Sequence, residues 1–290
     1  MIKILQGDCL DKLKELPDQS IHTCVTSPPY FNLRNYNDED KQLGMEDTPE
    51  QFVNNLVQVF REVKRVLRDD GTVWLNLGDS FLPNKQLGCI PFKVAIALQQ
   101  DNWILRQDII WHKPNPMPES VKDRCTKAHE YIFLFSKSCK YYFDNEAIKE
   151  PSIYAPNKTH EVEREKGYYK GKWSKPKKGS RHDGSFKAIR EKRNKRSVWT
   201  VTTKPFKNAH FATFPMDLIE PCVLAGCPVN GTVLDPFGGS GTTGIVANNH
   251  NRKAVLIELN SEYIEIARQR IEEQGNLFCD YEIEWSENGL

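Results

Sequence analysis

The chain has 290 residues, of which 39% are hydrophobic and 27% are charged, and its mean hydropathy is −0.61. This length and composition allow a sizeable globular core and exclude a disordered chain. No apolar run approaches the roughly 18 residues that a membrane span needs, and residues 1–7 lack the apolar core of a signal peptide, so we expect a cytoplasmic protein with no membrane partner. The eight cysteines form no Cys-x-x-Cys pair, which favours reduced thiols and predicts no metal site.

Basic charge is concentrated in one segment of the chain. The formal net charge is only +1, but residues 151–196 carry fifteen Lys and Arg against five Asp and Glu, a net +10, which leaves −9 for the remainder. Tyrosine, tryptophan and phenylalanine are interspersed with glycine, serine and proline in this segment, without a helical or strand period. The segment can be an insert that faces a polyanion or a solvated loop that contacts nothing. Charge alone leaves both interpretations open.

The apolar pattern predicts alternating strands and helices. In chain order these are strand 2–5, a helix over 10–16, strand 21–26, a helix opened by the capping box at 48–51, strand 72–77, helix 92–99, strand 103–111, a hairpin of 131–135 with 140–143, helix 216–224, strand 232–235, helix 242–248, strand 253–258 and helix 261–273. Repeated strand-helix-strand units predict a mostly parallel sheet covered by helices on both faces. Ligands of such sheets bind at the carboxyl ends of the strands.

The first loop of interest, residues 235–244, follows an apolar strand and opens a helix. Gly239 to Gly244 fit Gly-x-Gly-x-x-Gly, a weak motif that could hold a pyrophosphate or merely let helix and strand pack closely. Asp235 argues against a phosphate, because two anions would then share a partly desolvated cleft. S-adenosylmethionine fits better, since it offers an ammonium group to Asp235, a carboxylate to the helix amides and ribose hydroxyls to Glu258.

The second loop, Thr26-Ser27-Pro28-Pro29-Tyr30, also follows an apolar strand. The two prolines withhold two amide hydrogens, which leaves the carbonyls of Ser27 and Pro28 as rigid acceptors for an exocyclic amine. Tyr30 can stack on the base that carries this amine, although a tight turn followed by a core aromatic would explain the same residues. The pairing with the Asp235 loop favours function, and we expect the two loops to share one cleft.

These residues resemble the DNA amino-methyltransferases. Residues 26–30 are similar to the catalytic motif of that family and residues 235–241 to its cofactor motif, and the resemblance covers most of the chain. The catalytic motif comes first, with a variable segment between the two, which resembles the circularly permuted β group. The resemblance therefore implies a circularly permuted, Rossmann-like α/β methyltransferase fold with a mostly parallel seven-stranded sheet, helices on both faces and a basic target-recognition insert.

The resemblance also assigns parts of the chain and partners. Residues 1–150 would be the catalytic part of the methyltransferase domain, 151–200 the target-recognition insert and 201–290 the cofactor-binding part. S-adenosyl-L-methionine is the implied cofactor and double-stranded DNA the implied substrate. A separately acting cognate restriction endonuclease and a second copy of the chain, as a homodimer, are further candidate partners in a restriction-modification system.

Individual roles carry over by position. The residues implied to bind the cofactor are Asp8, at its adenine amine, Pro215, Asp235, Phe237, Gly239, Gly241, Thr242 and, at its ribose, Glu258. The residues implied in catalysis are Ser27, Pro28, Pro29 and Tyr30. Ser27 and the Pro28 carbonyl would accept hydrogen bonds from the target amine, and Tyr30 would stack on a flipped base.

The choice of base depends on Ser27, because serine at this motif position is associated with cytosine-N4 enzymes, whereas Asp or Asn is associated with adenine-N6 enzymes. Cytosine-N4 is therefore favoured and adenine-N6 is the alternative. Cytosine-C5 chemistry would need a nucleophile such as Cys222, which the predicted helix instead places in the core. An RNA or protein-glutamine methyltransferase and a non-catalytic DNA-binding module are the more distant alternatives.

Overall fold

The computed structural model describes residues 1–32, 42–152, 191–203, 214–274 and 279–285. Its strands are β1 (Ile2–Gln6), β2 (Ile21–Thr26), β3 (Leu67–Leu77), β4 (Ile104–His112), β5 (His129–Ser136), β6 (Glu150–Pro151), β7 (Lys192–Arg193), β8 (Val198–Thr200), β9 (Thr232–Asp235), β10 (Lys253–Glu258) and β11 (Tyr281–Glu284). Its α-helices are α1 (Cys9–Glu15), α2 (Pro49–Val66), α3 (Ile90–Gln100), α4 (Met216–Gly226), α5 (Thr242–Asn249) and α6 (Ser261–Gln274). Among these described residues, no helix has both the length and the apolar character needed to cross a membrane.

Two compact units divide the chain, residues 1–147 with 196–290, and residues 148–195. In the described part of the smaller unit, β6 pairs antiparallel with β7, and Arg193 Nε lies 2.8 Å from Glu150 Oε1. Most of the basic segment, residues 153–190, lies outside the described residues. The predicted charge-bearing surface of the insert therefore stays a prediction.

The large unit is built on one mixed sheet. Its strand order is β11-β1-β10-β9-β2-β3-β5-β4-β8, and β5 runs antiparallel to both β3 and β4 while the other neighbours are parallel. The prediction of seven strands is corrected here, because the sheet has nine strands in the described part of the chain. β8 and β11, the two edge strands, were not predicted from the sequence, and they have only three and four residues.

The predicted hairpin of 131–135 with 140–143 is also wrong. β5 pairs instead with β3 and β4 on its two sides, and residues 140–143 form no strand. Tyr142 N donates to Asp70 O at 2.9 Å, so this segment is hydrogen-bonded to β3 and does not pair with β5, the strand that precedes it in sequence. Apolar alternation predicted a strand for β5 but could not predict its partner.

Helices cover both faces of the sheet. On one face, α1, α2 and α3 enclose the main core, with Leu13, Phe60 and Leu98 packed against strand residues such as Leu75. α2 begins at the predicted capping box, in which Thr48 and Gln51 each bond the other's backbone amide. On the other face lie α4 and α5, where glycines allow helix and strand to approach closely.

Candidate active site

The site begins where the adjacent strands β2 and β9 end. Thr26 Oγ1 donates to Asp235 Oδ1 at 2.6 Å, although the two residues are 209 positions apart in sequence. The two loops therefore begin side by side, as predicted, and the shared cleft stays a prediction. Asp235 is 1% exposed, and its carboxylate also accepts from Thr243 Oγ1 at 2.6 Å and from Phe237 N at 3.1 Å.

Burial raises the pKa of Asp235 to about 7, because the charged form loses its hydration. The hydrogen bonds from Thr243, Thr26 and the Phe237 amide act in the opposite direction and lower it. The carboxylate thus lies within the protein between the two loops. Its role as the partner of a ligand ammonium group stays a prediction.

The glycine-rich loop turns by means of two left-handed residues. Gly239 has φ +49° and Gly241 has φ +78°, a region that favours glycine, and Thr242 then begins α5. A Cβ at Gly239 would meet only the Phe237 carbonyl oxygen, at 3.9 Å, so the loop is open at that position. This is the form of a loop that a ligand can approach closely.

Two carboxylates stand at the ends of the next strands along the sheet. Glu258 ends β10, and its side chain accepts from Gly239 N at 2.7 Å and from Asn260 N at 2.9 Å. Asp8 follows β1 and caps α1, where one carboxylate oxygen accepts from the amides of Leu10 and Asp11. Because β1, β10, β9 and β2 are neighbours, the predicted residues at their ends lie along one edge of the sheet.

The remaining two predicted ligand residues differ in placement. Phe237, in the glycine-rich loop, is half-buried. Pro215 is buried and immediately precedes α4, on an element that follows the undescribed residues 204–213. No described contact joins Pro215 to the loop, so its role as a ligand residue stays a prediction.

The loop of residues 26–30 directs the side chains of Ser27 and Tyr30 toward the end of β3 and the start of β5. Ser27 and Tyr30 are half-buried, and Ser27 Oγ lies 3.4 Å from the Tyr30 hydroxyl oxygen. That hydroxyl donates to Glu130 Oε2 at 2.8 Å. The Tyr30 ring passes so close to Gly78 that a Cβ there would lie 2.5 Å from Tyr30 Cε2, so the ring position depends on glycine.

A family model described as DNA methylase matches residues 21–269, a range that contains both loops. The chain belongs to this family of DNA methylases. Type II methyltransferase M.Cfr9I of Citrobacter freundii is 42% identical to this methylase, covering 93% of this chain and 87% of the relative. Type II methyltransferase M.SmaI of Serratia marcescens is 41% identical, covering 93% and 90%. This methylase is therefore a DNA amino-methyltransferase, that is, a transferase that methylates DNA. It groups with the methyltransferases of restriction-modification systems.

Solved structures share the fold of this methylase. TTHA0409 of Thermus thermophilus, solved in complex with S-adenosyl-L-methionine, matches with a TM-score of 0.65 at 25% identity and covers 98% of this chain and 100% of that one. The cytosine-N4-specific PvuII DNA methyltransferase matches with a TM-score of 0.68 at 20% identity, covering 96% and 86%. At that identity the PvuII enzyme shows the α/β fold alone.

Several residues of the candidate site were not predicted from the sequence. Arg270 of α6 is 6% exposed, and the two hydrogens of its Nη1 are shared among Ser240 O at 2.7 Å, Ser240 Oγ at 2.6 Å and Thr242 Oγ1 at 2.9 Å. Burial lowers the pKa of its guanidinium. Arg270 thus holds the glycine-rich loop from behind, and nothing in the polar pattern of α6 distinguishes it from its neighbours.

Glu130, Asn76 and Lys113 were missed in the same way. Glu130 lies at the start of β5, where Lys113 Nζ pairs with its Oε1 and Asn76 Nδ2 lies 3.3 Å from its Oε2. No chemical role followed from the residue types of the stretch 127–131. The only sequence signal was a carboxylate and an amide on strands otherwise rich in apolar residues.

Proposed function

We propose that this methylase transfers a methyl group from S-adenosyl-L-methionine to the exocyclic N4 amine of a flipped cytosine in double-stranded DNA. Family membership supports the amino-methyltransferase reaction on DNA. The observation that carries the finer proposal is Ser27, a half-buried hydroxyl at the end of β2, joined to the glycine-rich loop through the adjacent Thr26–Asp235 hydrogen bond. Serine at this motif position favours cytosine-N4 over adenine-N6.

The residues at the strand ends fit the cofactor. The open face at Gly239, the left-handed Gly241 and the start of α5 suit a carboxylate, while Asp8 and Glu258 at adjacent strand ends suit an amine and hydroxyls. S-adenosyl-L-methionine supplies an electrophilic methyl group when bound. Phe237, Thr242 and Pro215 complete the proposed set, and Asp235, with its pKa of about 7, contributes negative charge beneath the loop above that pH.

Ser27 and the Pro28 carbonyl activate the amine. An exocyclic amine is a weak nucleophile because its lone pair is delocalised into the ring, and hydrogen bonds that draw the nitrogen toward tetrahedral geometry counteract this delocalisation. Pro28 and Pro29 carry no amide hydrogens, so these positions offer acceptors without competing donors. Alignment of the bound reactants supplies a large part of the rate gain, up to roughly 7 to 11 kcal/mol in well-oriented pairs.

Tyr30 holds the extruded base by stacking, and the basic segment contacts the DNA phosphates. Flipping costs a few kcal/mol, and stacking together with phosphate contacts offsets this cost. The motif order supports membership in the permuted β group, since residues 26–30 precede 235–241. A separately acting cognate endonuclease and a homodimer are the further partners we propose, on the family resemblance alone.

The product identifies the reaction. We expect DNA incubated with the protein and S-adenosyl-L-methionine, then digested to nucleosides, to contain N4-methylcytosine by mass spectrometry, and Ser27→Ala to lower kcat about a hundredfold, as removal of one preorganised hydrogen-bonding group does elsewhere. N6-methyladenine as the product would establish the adenine-N6 alternative. Normal methylation by Ser27→Ala would exclude the proposed role of this hydroxyl.

A further inference from the structure

The Tyr30 hydroxyl lies between Ser27 and the ion pair of Lys113 with Glu130. Glu130 is held on both carboxylate oxygens: Lys113 pairs with Oε1, and the Tyr30 hydroxyl and Asn76 Nδ2 approach Oε2 at 2.8 and 3.3 Å. The Glu130 and Lys113 side chains are 15% and 19% exposed, and Lys113 Nζ also lies 4.2 Å from the centroid of the Trp111 ring. These contacts fix the position of an ion-paired carboxylate, which accepts hydrogen bonds only.

The direction of the hydrogen bonds follows from this arrangement. A phenol has one proton, and Tyr30 gives it to Glu130 Oε2 at 2.8 Å in preference to Asn76 Oδ1 at 3.4 Å, because the charged and nearer acceptor forms the stronger bond. Asn76 itself is oriented by donating to Tyr131 O at 3.0 Å. The Tyr30 oxygen is consequently an acceptor toward Ser27, at 3.4 Å.

Ser27 then donates its only proton to Tyr30, which leaves the lone pairs of its oxygen for the ligand. We propose that Glu130 is a positioning residue that, through the Tyr30 hydroxyl, presents the Ser27 oxygen to the target base as a hydrogen-bond acceptor. An acceptor at this place favours an exocyclic amine and disfavours a carbonyl oxygen. The inference rests on the proposed function, because it concerns how the same site recognises its amine.

Gly78 adds a second constraint on this chain of bonds. Because the Tyr30 ring lies against Gly78, the ring cannot move toward β3, and the hydroxyl is held at Glu130. Removing the hydroxyl alone, with Tyr30→Phe, keeps the ring and its stacking face. Removing the acceptor alone, with Glu130→Met, keeps the volume of the side chain.

The experiment is a double-mutant cycle on kcat for methyl transfer to DNA, with cofactor affinity measured by calorimetry. We expect Tyr30→Phe and Glu130→Met each to lower kcat at least tenfold. The kcat of the double variant should be no lower than that of the less active single variant. The cofactor Kd should stay within twofold in all three variants. Glu130→Gln should recover part of the loss, because its amide oxygen can still accept from Tyr30. Multiplicative losses in the double variant, or Glu130→Gln as inactive as Glu130→Met, would overturn the inference.

The matched control is Glu62→Met. Glu62 pairs with Arg65 Nε at 2.8 Å near the end of α2. Arg65 also donates to the Leu13 and Leu16 carbonyl oxygens, which lie near the end of α1. The pair is therefore close to the start of β2, whereas Ser27 and Tyr30 follow the end of that strand. Its kcat should stay within twofold, and a loss equal to that of Glu130→Met would also overturn the inference. The same double-mutant cycle can be measured on the free energy of unfolding, which requires no methylation. Absence of coupling between Tyr30 and Glu130 in that cycle refutes this inference. Failure of the unsubstituted protein to methylate cytosine instead refutes the proposed function.

Discussion

At the scale of single residues, Asp235 couples the site to pH. Its pKa of about 7 in the folded protein exceeds the ordinary 3.8, so between these values the folded chain keeps a proton that the unfolded chain has released. The free energy of unfolding therefore decreases as pH rises through this window, by up to about 1.4 kcal/mol per pH unit, and this contribution is fully present only below about pH 4.

Asp235→Asn tests this coupling. The amide can keep an oxygen toward Thr26 and Phe237, while its NH2 group faces Thr243, whose hydroxyl has the Val25 carbonyl within 3.4 Å. We expect the stability of the variant relative to the unsubstituted protein to increase from pH 4 to 7 and to level off above, in urea titrations at each pH. A pH-independent difference would show that Asp235 is ionised throughout the window.

Tyr30 gives a second prediction at this scale. Tyr30→Ala removes the proposed stacking surface, which is worth about 1 to 3 kcal/mol per base, and should weaken base flipping by about tenfold with little effect on cofactor binding. Fluorescence of 2-aminopurine at the target position measures flipping, and titration measures cofactor affinity. Tyr30→Phe is the control because it keeps the ring. Equal losses of flipping and cofactor affinity in Tyr30→Ala would contradict the stacking role.

At the scale of elements, α6 supports the glycine-rich loop through Arg270. Arg270→Met removes the hydrogen bonds that Nη1 donates to Ser240 and Thr242, and hydrogen bonds to charged groups contribute about 1.5 to 3 kcal/mol each. We expect the cofactor Kd to rise tenfold or more by calorimetry. The control is Arg268→Met on the same helix, where the guanidinium pairs with the partly exposed Glu265 and Glu272. Similar cofactor affinity in the two variants would contradict the supporting role of Arg270.

Elements were predictable where their pattern is local. The capping box at Thr48 predicted the start of α2, and the apolar runs predicted β2, β9 and the helix that contains the buried Cys222. The two edge strands and the pairing of β5 were not predictable, because strand pairing depends on residues distant in sequence. The false hairpin at 140–143 shows this: proximity in sequence suggested a partner that the sheet does not use.

At the scale of the whole molecule, charge is segregated along the chain. Lys175, Lys177 and Lys178 belong to the basic segment and lie outside the described residues. If the segment contacts phosphates, replacing the three lysines with glutamine should flatten the dependence of log affinity for DNA on log salt by up to about 0.9 per contacting lysine. Replacing the exposed Lys14, Lys140 and Lys253 of the large unit is the matched control. An unchanged slope for the first triple variant would exclude the segment as the phosphate-contacting surface.

The sequence by itself determined the two motif loops, the class of ligand and the family, because loops at strand ends and their turn-forming glycines and prolines are encoded by neighbouring residues. Only the tertiary structure decided which side chains meet: Thr26 with Asp235, Tyr30 with Glu130 at a separation of 100 residues, and Arg270 with the loop before α5. Those contacts depend on the order of strands in the sheet and on how helices pack over it. Strand order is set by the burial of the whole core, which no local pattern contains.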